Sequence, residues 1–247
     1  MELTVLGAGP AYTDRRGATG AAYLLKSRGR SILLDLGQGS FPALAAAVEP
    51  SSVEAVFITH LHPDHFVDLV PLRHYLRYQF TPPRRAAVHA PAGLAARLDA
   101  LHDEPGFTTT ALDVVDLAEG TVVIGPFVVE ARLVTHTRES YAFRVSSGDG
   151  SALVYSGDCG RAADLEGLVR QGDALLVEAS FGAGPVATGA GHLDGPAVGA
   201  LAANVRPARV LLTHLQMGFD PAATITSVAA RFDGPIDLVE PGFLTTI

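Results

Sequence analysis

The sequence predicts a mixed α/β protein in which helices cover β-sheets. Short apolar runs rich in Val, Ile and Leu alternate with longer segments of helical periodicity, and turn residues separate the two throughout the chain. Of the 247 residues, 48% are hydrophobic and only 18% are charged. This composition allows a substantial buried core and excludes a disordered chain or a coiled coil. Many strands interleaved with helices favour sheets covered by helices.

The predicted elements follow one another along the whole chain. Strands are predicted where short apolar or β-branched runs end in turn residues, at 3–6, 21–26, 31–35, 55–58, 87–89, 112–115, 121–124, 127–134, 142–145, 152–155, 174–177, 210–212 and 236–239. Helices are predicted where apolar residues recur every three or four positions, at 41–48, 66–77, 92–101, 163–169, 196–203 and 222–230. No repeat or long linker interrupts this series, so we expect one domain over residues 1–247.

Charge, cysteine usage and hydropathy narrow the functional class. The formal net charge is −8, which disfavours long nucleic acids because their binding draws on several phosphate contacts from a basic face. Cys159 is the single cysteine, so an internal disulfide is excluded. The first residues lack the pattern of a signal peptide, and no apolar stretch reaches the roughly 18 residues of a membrane span. We therefore expect a cytoplasmic protein without a membrane partner.

The segment Thr-His-Leu-His-Pro-Asp-His at 59–65 carries the strongest functional signal. It places three imidazoles and a carboxylate directly after an apolar run, and borderline divalent metals prefer these ligands. His60 and His62 are two apart and would project the same way if the strand geometry continued. Asp64 and His65 follow a proline, so they lie on a turned segment and can face a second ion. This loop predicts the beginning of two metal sites.

Three further candidate ligands each follow an apolar strand. His136 comes after the predicted strand at 127–134, Asp158 after 152–155 and His214 after 210–212. Folds of the α/β class bind ligands in the crevice at the carboxyl ends of their strands. A lone histidine in such a position is more often a packed or surface residue. Three such strand ends, together with the cluster at 59–65, favour a shared metal centre.

These residues resemble a known family. The strings Thr-His-Leu-His-Pro-Asp-His at 59–65, Thr-His-Thr at 135–137, Ser-Gly-Asp at 156–158 and Leu-Thr-His at 212–214 resemble, in order and spacing, the metallo-β-lactamase superfamily of hydrolases. Leu-Asp-Leu-Gly at 34–37 looks like its early Asp-x-Gly element. The resemblance spans residues 3–240 and implies a four-layer αββα sandwich with metals at the sheet edges between its halves.

The resemblance implies two divalent metal ions. The ligands of the first would be His60, His62 and His136, those of the second would be Asp64, His65 and His214, and Asp158 would bridge them. A bridging carboxylate offsets the repulsion between dications that lie about 3.5 to 4 Å apart, and coordination lowers the pKa of water toward about 7. Asp64 could also orient this nucleophile or take up its proton. The ligand set favours zinc and also admits manganese or iron.

The segment after Asp158 resembles the phosphodiesterase branch of the superfamily, which contains tRNase Z. Glu-Ala-Ser at 178–180 and His-Leu-Asp at 192–194 are the matching strings. By this resemblance His192 would donate a proton to the leaving oxygen, and Glu178 would orient and charge-stabilise His192. An alkoxide departs poorly without such an acid. The alternatives are that His192 is a surface loop residue and that Glu178 pairs with another buried group.

Departures from tRNase Z bear on the substrate. Only 21 residues separate His136 from Asp158, which leaves no room for the extended arm that grips tRNA in the bacterial enzymes. We therefore expect a small nucleotide-like phosphodiester, such as a cyclic nucleotide, as the substrate. The alternatives are a tRNA 3′-processing endoribonuclease without the arm and a thioesterase or lactonase acting at carbon. The resemblance also implies that the protein can form a homodimer.

Several other residues carry expectations that a structure can test. Asp35 should accept a hydrogen bond beneath the histidine loop, because metal-bound imidazoles usually donate their second N–H to a nearby acceptor. Asp68 should face solvent, and Cys159 should be a small buried thiol. A group of arginines follows the histidine cluster and could form either a solvated surface or a phosphate-facing patch. They are Arg73, Arg77, Arg84 and Arg85.

Overall fold

Two seven-stranded sheets packed face to face form the centre of the protein, in a computed structural model that describes residues 1–247. The first sheet contains β1 (Glu2–Gly7), β2 (Ala22–Ser27), β3 (Arg30–Leu34), β4 (Ala55–Phe57), β5 (Ala86–Ala90), β6 (Leu112–Asp116) and β14 (Leu244–Thr246), in the order β14-β1-β2-β3-β4-β5-β6. The second contains β7 (Gly120–Ile124), β8 (Phe127–Leu133), β9 (Tyr141–Ser147), β10 (Ala152–Tyr155), β11 (Ala174–Glu178), β12 (Arg209–Thr213) and β13 (Ile236–Leu238), in the order β13-β12-β11-β10-β9-β8-β7.

Each sheet is antiparallel in one half and parallel in the other. Strands β3 to β6 are parallel in the first sheet, and β10 to β13 are parallel in the second. The remaining neighbours pair antiparallel, including the full-length pairing of β8 with β9. Parallel strands need covered crossovers, so the helices lie over the parallel halves.

Helices form the two outer layers. They are α1 (Phe41–Ala47), α2 (Pro63–Phe66), α3 (Leu69–Tyr78), α4 (Leu94–His102), α5 (Ala163–Glu166), α6 (Gly195–Val205) and α7 (Pro221–Ala229), with short 3₁₀ turns at Pro50–Ser52 and Thr108–Thr110. Leucines of α1, α3 and α4 pack on the first sheet, and apolar residues of α5 to α7 pack on the second. The predicted αββα sandwich is confirmed. None of these helices is long and apolar enough to cross a membrane.

The alternation of side chains between two cores explains why the central strands appear in the sequence as continuous apolar runs. In β2, Tyr23 and Leu25 enter the core between the sheets, whereas Ala22 and Leu24 enter the core beneath the helices. Both faces of this part of the strand are buried, so the positions from Ala22 to Leu25 are all hydrophobic. On β8, Val128 points outward and is 39% exposed, because no helix covers this end of the second sheet.

The prediction of one continuous helix at 66–77 is wrong. The chain forms α2 and α3 instead, and the break lies at Val67 and Asp68. Pro71 has no N–H to bond back to Val67, so the helical ladder cannot continue through this point. The expectation that Asp68 faces solvent is also wrong. Asp68 is buried, donates its N–H to Leu36 O at 3.1 Å and accepts the N–H of Phe41 at 2.8 Å.

Two further differences have local causes. Strand β14 was not predicted, because Leu-Thr-Thr is short, largely exposed and lacks an apolar alternation. It pairs antiparallel with β1. Helix α4 begins at Leu94 rather than at Ala92, since Gly93 adopts a left-handed φ of 92° at the N-cap. That conformation suits glycine and is outside the helical range.

Substitution of Phe143 tests how much packing between the two sheets stabilises the fold. Its side chain is fully buried and packs edge-on against Phe57 of the opposite sheet, with ring centroids 5.7 Å apart. We expect Phe143→Ala to lower the free energy of unfolding by about 3–5 kcal/mol, because a cavity is left between two sheets that cannot collapse onto it. Denaturant unfolding measures this loss. Val123→Ala, at a side chain that is 66% exposed, should change stability by less than about 0.5 kcal/mol.

Candidate metal centre

The strand ends of the two sheets meet at one edge of the sandwich. His60 follows β4 of the first sheet, while His136, Asp158 and His214 follow β8, β10 and β12 of the second. The segment 62–65 turns into α2, with Pro63 in the first helical position. Proline favours this position because its fixed φ is already helical and its missing N–H would be unsatisfied there. The structure thus brings together all seven residues predicted as ligands, in two groups.

The first group contains His60, His62, His136 and Asp158. One ligand atom from each lies within 4.8 Å of the others. The Nδ1 atom of His62 is 3.0 Å from His60 Nε2 and 3.2 Å from His136 Nε2. Asp158 Oδ2 lies 3.7 Å from His60 Nε2 and 3.5 Å from His136 Nε2. Three imidazoles and one carboxylate oxygen therefore converge on a common point, as tetrahedral metal ligation requires.

The second group contains Asp64, His65 and His214, again within 4.8 Å of one another. His214 Nε2 is 3.3 Å from both His65 Nε2 and Asp64 Oδ2. The second oxygen of Asp158, Oδ1, faces this group at 3.4 Å from His65 Nε2 and 3.5 Å from His214 Nε2. One carboxylate therefore reaches both groups, with a different oxygen toward each.

The Oδ1 atom of Asp158 is a buried acceptor without a hydrogen-bond partner. A buried carboxylate oxygen in this state is costly unless a positive charge compensates it. The imidazole nitrogens around it approach closely but lack hydrogen-bond geometry to it. This oxygen, placed between two groups of nitrogens, fits a divalent cation.

Two imidazoles have their tautomer fixed by the protein on the side away from the centre. His65 Nδ1 donates to Asp35 Oδ2 at 2.7 Å, and His136 Nδ1 donates to the Gly191 carbonyl at 2.7 Å. A neutral ring that donates through Nδ1 has a bare lone pair on Nε2. The Nε2 atoms of both rings point into the centre, so they are available as ligands. Metal-binding histidines are commonly oriented by such partners.

Hydroxyl groups fix the tautomer of two more imidazole rings. His214 Nδ1 lies 3.1 Å from Ser180 Oγ, whose hydrogen is donated to Glu178 Oε2 at 2.5 Å. His60 Nδ1 lies 3.1 Å from Thr59 Oγ1, whose hydrogen points to a carboxylate. Each hydroxyl is therefore an acceptor toward the ring, and each Nε2 is again a lone pair. Lone pairs about 3 Å apart repel unless a cation lies between them, so the donor set fits divalent metal ions.

Electrostatics disfavour a proton on His60 and favour positive charge beside Asp158. Burial, with the neighbouring His65 imidazole, holds the pKa of His60 well below its ordinary value. Burial alone would also lower the pKa of His65. The charges of Asp158 and Asp35 outweigh burial and raise the pKa of His65 well above its ordinary value. Burial would raise the pKa of Asp158, yet His214 and His65 hold it well below its ordinary value. The carboxylate stays ionised and attracts cations.

Asp35 supports the histidine loop from beneath, as predicted. It is fully buried and accepts hydrogen bonds from the Thr59 N–H at 2.7 Å, His65 Nδ1 at 2.7 Å and the Tyr155 hydroxyl at 2.8 Å. Tyr155 was not predicted, because it lies 120 positions from Asp35 on the other sheet and carries no local signal. The hydrogen bond from Tyr155 thus joins the two sheets directly below the centre.

We expect Asp35→Asn to weaken metal binding by about 10-fold to 100-fold, because the amide loses the charge that orients His65 and raises its basicity. Competition with a chromophoric chelator measures this affinity. The control is Asp113→Asn, which removes an exposed carboxylate paired with Arg85. Unchanged metal affinity in Asp35→Asn would contradict the supporting role.

His192 and Glu178 form a pair beside the two groups. His192 Nδ1 donates to Glu178 Oε1 at 3.0 Å, and Glu178 is fully buried at the end of β11. Glu178 also accepts backbone N–H groups from Cys159, Ser180 and Leu193, which fixes its position. Burial would lower the pKa of His192, but the hydrogen bond and charge of Glu178 outweigh it and raise the pKa.

His192 can also be read as a third ligand position. Its ring nitrogen lies within 4.8 Å of ligand atoms of Asp158 and His214. However, its Nδ1 is 3.9 Å from Asp158 Oδ2 and already bonds Glu178 at 3.0 Å. Because Nδ1 donates to Glu178, the Nε2 atom of His192 is left to face a substrate or a metal. The pairing with Glu178 is typical of a histidine that donates a proton.

The Cys159 side chain and the four arginines form no hydrogen bond or ion pair with the candidate ligands. Cys159 is a buried free thiol, as predicted, and burial raises its pKa to about 12. Arg73 is buried, donates to the Phe107 carbonyl at 2.9 Å and stacks over the Phe107 ring. The other three are engaged on the surface, where Arg77 lies over Tyr78, Arg84 over Phe80, and Arg85 pairs with Asp113. None of the four lines the cavity at the centre, and each already has a partner within the protein.

A cavity of about 260 Å³ opens onto both ligand groups. Its walls include Asp64, Asp158, His192 and His214. Other lining residues come from the loop after β1 and from the segment after His214, and were not predicted as site residues. They are Pro10, Ala11, Tyr12 and Gln216. No motif marks them in the sequence, since only the fold brings these loops to the centre.

Comparisons with known proteins agree with this geometry. Residues 30–215 match the family model described as β-lactamase superfamily domain. An uncharacterized protein of Mycobacterium leprae is 34% identical over 98% of this chain and 87% of its own length. Ribonuclease Z of Bacillus licheniformis is 34% identical over 60% of this chain and 50% of its own length. The probable metallo-hydrolase YhfI of Bacillus subtilis is 24% identical over 99% of both chains.

The solved structure of YhfI is described as a metallo-β-lactamase fold protein. It superposes with a TM-score of 0.87 at 22% identity, covering 99% of this chain and 98% of that one. Both sheets and the covering helices therefore correspond. From the family match and the relatives that extend over nearly the whole chain, the protein belongs to the β-lactamase superfamily, as a metallo-hydrolase.

Proposed function

We propose that this metallo-hydrolase is a phosphodiesterase that uses two divalent metal ions on a small nucleotide-like phosphodiester. The observation that carries the proposal is the His192–Glu178 pair, whose His192 lines the same cavity as residues of both ligand groups. A diester releases an alkoxide, which departs slowly without a proton donor. A thioester releases a thiolate, which needs no such donor, because a thiol has a far lower pKa than an alcohol.

The ligand groups have separate tasks in this proposal. His60, His62 and His136 hold one ion, Asp64, His65 and His214 hold the other, and Asp158 reaches both through its two oxygens. When bound, two such ions lower the pKa of water and offset negative charge on the phosphoryl group. Zinc is the favoured metal, because imidazole and carboxylate ligands without thiolates suit it, and manganese or iron are the alternatives.

The protein's own groups supply the proton transfers. Glu178 holds the Nδ1 hydrogen of His192 and favours the imidazolium, so the other ring nitrogen can carry a proton to the leaving oxygen. Asp64 has a carboxylate oxygen 3.3 Å from His214 Nε2 and lines the same cavity. It can accept a proton from the attacking water. One acid and one base therefore lie in one cavity, as general acid–base catalysis requires.

Cavity size and charge favour a small substrate. The cavity of about 260 Å³ lies near the lower end of small-ligand sites, and the net charge is −8. The hairpin of β9 and β10 occupies the stretch between His136 and Asp158, and it carries no extension. A cyclic nucleotide suits these properties. The similarity to ribonuclease Z over 60% of the chain favours RNA 3′-processing as the second candidate.

Hydrolysis assays with the metal-loaded protein test the proposal. We expect turnover of bis-p-nitrophenyl phosphate with Zn²⁺ or Mn²⁺, and loss of turnover after chelation. An acyl thioester should turn over far more slowly. Thioester turnover without diester turnover would contradict a phosphodiesterase and indicate a carbonyl hydrolase.

A substrate panel separates the two candidate functions. It contains 2′,3′-cyclic and 3′,5′-cyclic nucleotides beside a tRNA precursor with a 3′ extension. We expect hydrolysis of a cyclic nucleotide. Cleavage of the precursor alone would assign RNA processing instead.

A further inference from the structure

Tyr12 is an exposed aromatic residue at the mouth of the catalytic cavity. It lies between β1 and β2, and its side chain is 65% exposed. It lines the cavity together with Asp64 and His192, and no other lining residue apart from the histidines is aromatic. An exposed ring in such a place presents a flat apolar surface to whatever enters the cavity.

The Tyr12 ring has no aromatic or cationic partner within the protein. It stacks on no other ring and lies under no guanidinium group. Tyr78 offers a comparison, since it is 67% exposed but has the guanidinium groups of Arg73 and Arg77 over its ring. Tyr12 is therefore available to stack with a planar ligand, whereas Tyr78 is already engaged.

The loop that carries Tyr12 is tied to the site. The Arg15 guanidinium donates to the carbonyls of Leu215 and Phe219, at 2.8 and 3.3 Å, in the segment that follows His214. At the start of the loop, the Gln38 amide donates to the Pro10 carbonyl at 3.3 Å. The chain is therefore held on both sides of Tyr12, which limits the backbone entropy that is lost when a ligand stacks on the ring.

The segment after His214 contributes a polar group to the cavity. Gln216 is anchored by its backbone N–H, which donates to the Ser180 carbonyl at 3.2 Å. Gln216 lines the cavity together with Tyr12. A carboxamide offers both donors and an acceptor, which the edge of a nucleobase can match. An aromatic face and an amide thus lie beside the metal ligands.

We propose that Tyr12 stacks on the base of a nucleoside phosphodiester whose phosphate lies at the metal centre. The inference rests on the proposed phosphodiesterase function and names its substrate class, a diester that carries a nucleobase. Stacking on an aromatic ring tolerates every base, because each base has a π-face. Tyr12 therefore selects for the presence of a base, and Gln216 contacts its edge.

Binding of adenosine monophosphate and of ribose 5-phosphate to the metal-loaded protein tests this without turnover. The two ligands share the sugar and the phosphate and differ in the base. Calorimetry on wild type, Tyr12→Ala, Tyr12→Phe and the control Tyr78→Ala gives the dissociation constants. We expect Tyr12→Ala to weaken adenosine monophosphate binding by about 5-fold to 150-fold and to leave the ribose 5-phosphate constant nearly unchanged. Tyr12→Phe and Tyr78→Ala should retain the wild-type preference for the base.

Two results would overturn the inference. Wild-type protein that binds both ligands equally, or neither, has no base site. Equal weakening of both ligands by Tyr12→Ala would show that the residue acts on the phosphate or on the loop. The outcome is independent of the hydrolysis assays, so a base site in a protein without diesterase activity would contradict only the proposed function.

Discussion

Replacing Asp158 with alanine is expected to lower the bound metal from two ions per chain to one or fewer and to reduce diester turnover by about 10³-fold. The carboxylate reaches both ligand groups, and its Oδ1 has no other partner. Without it, two dications would face each other with no bridging charge, and stabilisation by metal ions in such sites is worth several kcal/mol. Elemental analysis and bis-p-nitrophenyl phosphate hydrolysis on the same preparation measure both effects.

Asp173→Ala is the matched control for this change. Asp173 is also a buried aspartate, but it pairs with Arg144 at the opposite end of the second sheet. The control loses its ion pair with Arg144 and should still keep the metal content of the wild type. Full retention of two ions in Asp158→Ala would contradict the bridging role.

Removing the His192 imidazole should slow the reaction in a way that depends on the leaving group. We expect His192→Ala to lower turnover by roughly 10²-fold to 10⁴-fold on a diester that releases an alkoxide, because its leaving oxygen needs a proton. Bis-p-nitrophenyl phosphate releases nitrophenolate, which departs without one, so the loss there should be far smaller. Turnover rates at saturating substrate measure the difference.

Two further variants make this experiment specific. Glu178→Gln keeps the shape of the pair but removes the charge that raises the pKa of His192, so it should show the same leaving-group dependence in weaker form. His102→Ala removes a partly exposed imidazole that stacks on Phe107 away from the centre, and should behave as wild type. Equal losses on both substrates in His192→Ala would assign His192 a role other than proton donation.

Most of the fold follows from local patterns in the sequence. The alternation in β2 and β3 places one set of side chains between the sheets and the other beneath the helices, so short apolar runs mark the strands. The ligands are also predictable, since parallel strands end at one edge and His60, Asp158 and His214 each follow such a strand. Metal binding limits the ligands to a few residue types, and the fold limits them to the ends of these strands.

The remaining features depend on contacts between distant parts of the chain. The burial of Asp68 depends on its hydrogen bonds to the 36–41 loop. The hydroxyl of Tyr155 reaches Asp35 only because the two sheets pack face to face. Tyr12 reaches the cavity because Arg15 ties its loop to the segment after His214. No periodicity or spacing encodes such pairs, so a single sequence does not predict them.

Anomalous scattering from crystals of the zinc-loaded protein tests the two-metal centre most directly. Two peaks are expected about 3.5 to 4 Å apart, one among His60, His62 and His136 and the other among Asp64, His65 and His214, with Asp158 in contact with both. A single peak, or two peaks of which only one contacts Asp158, would contradict the centre on which the proposed function depends.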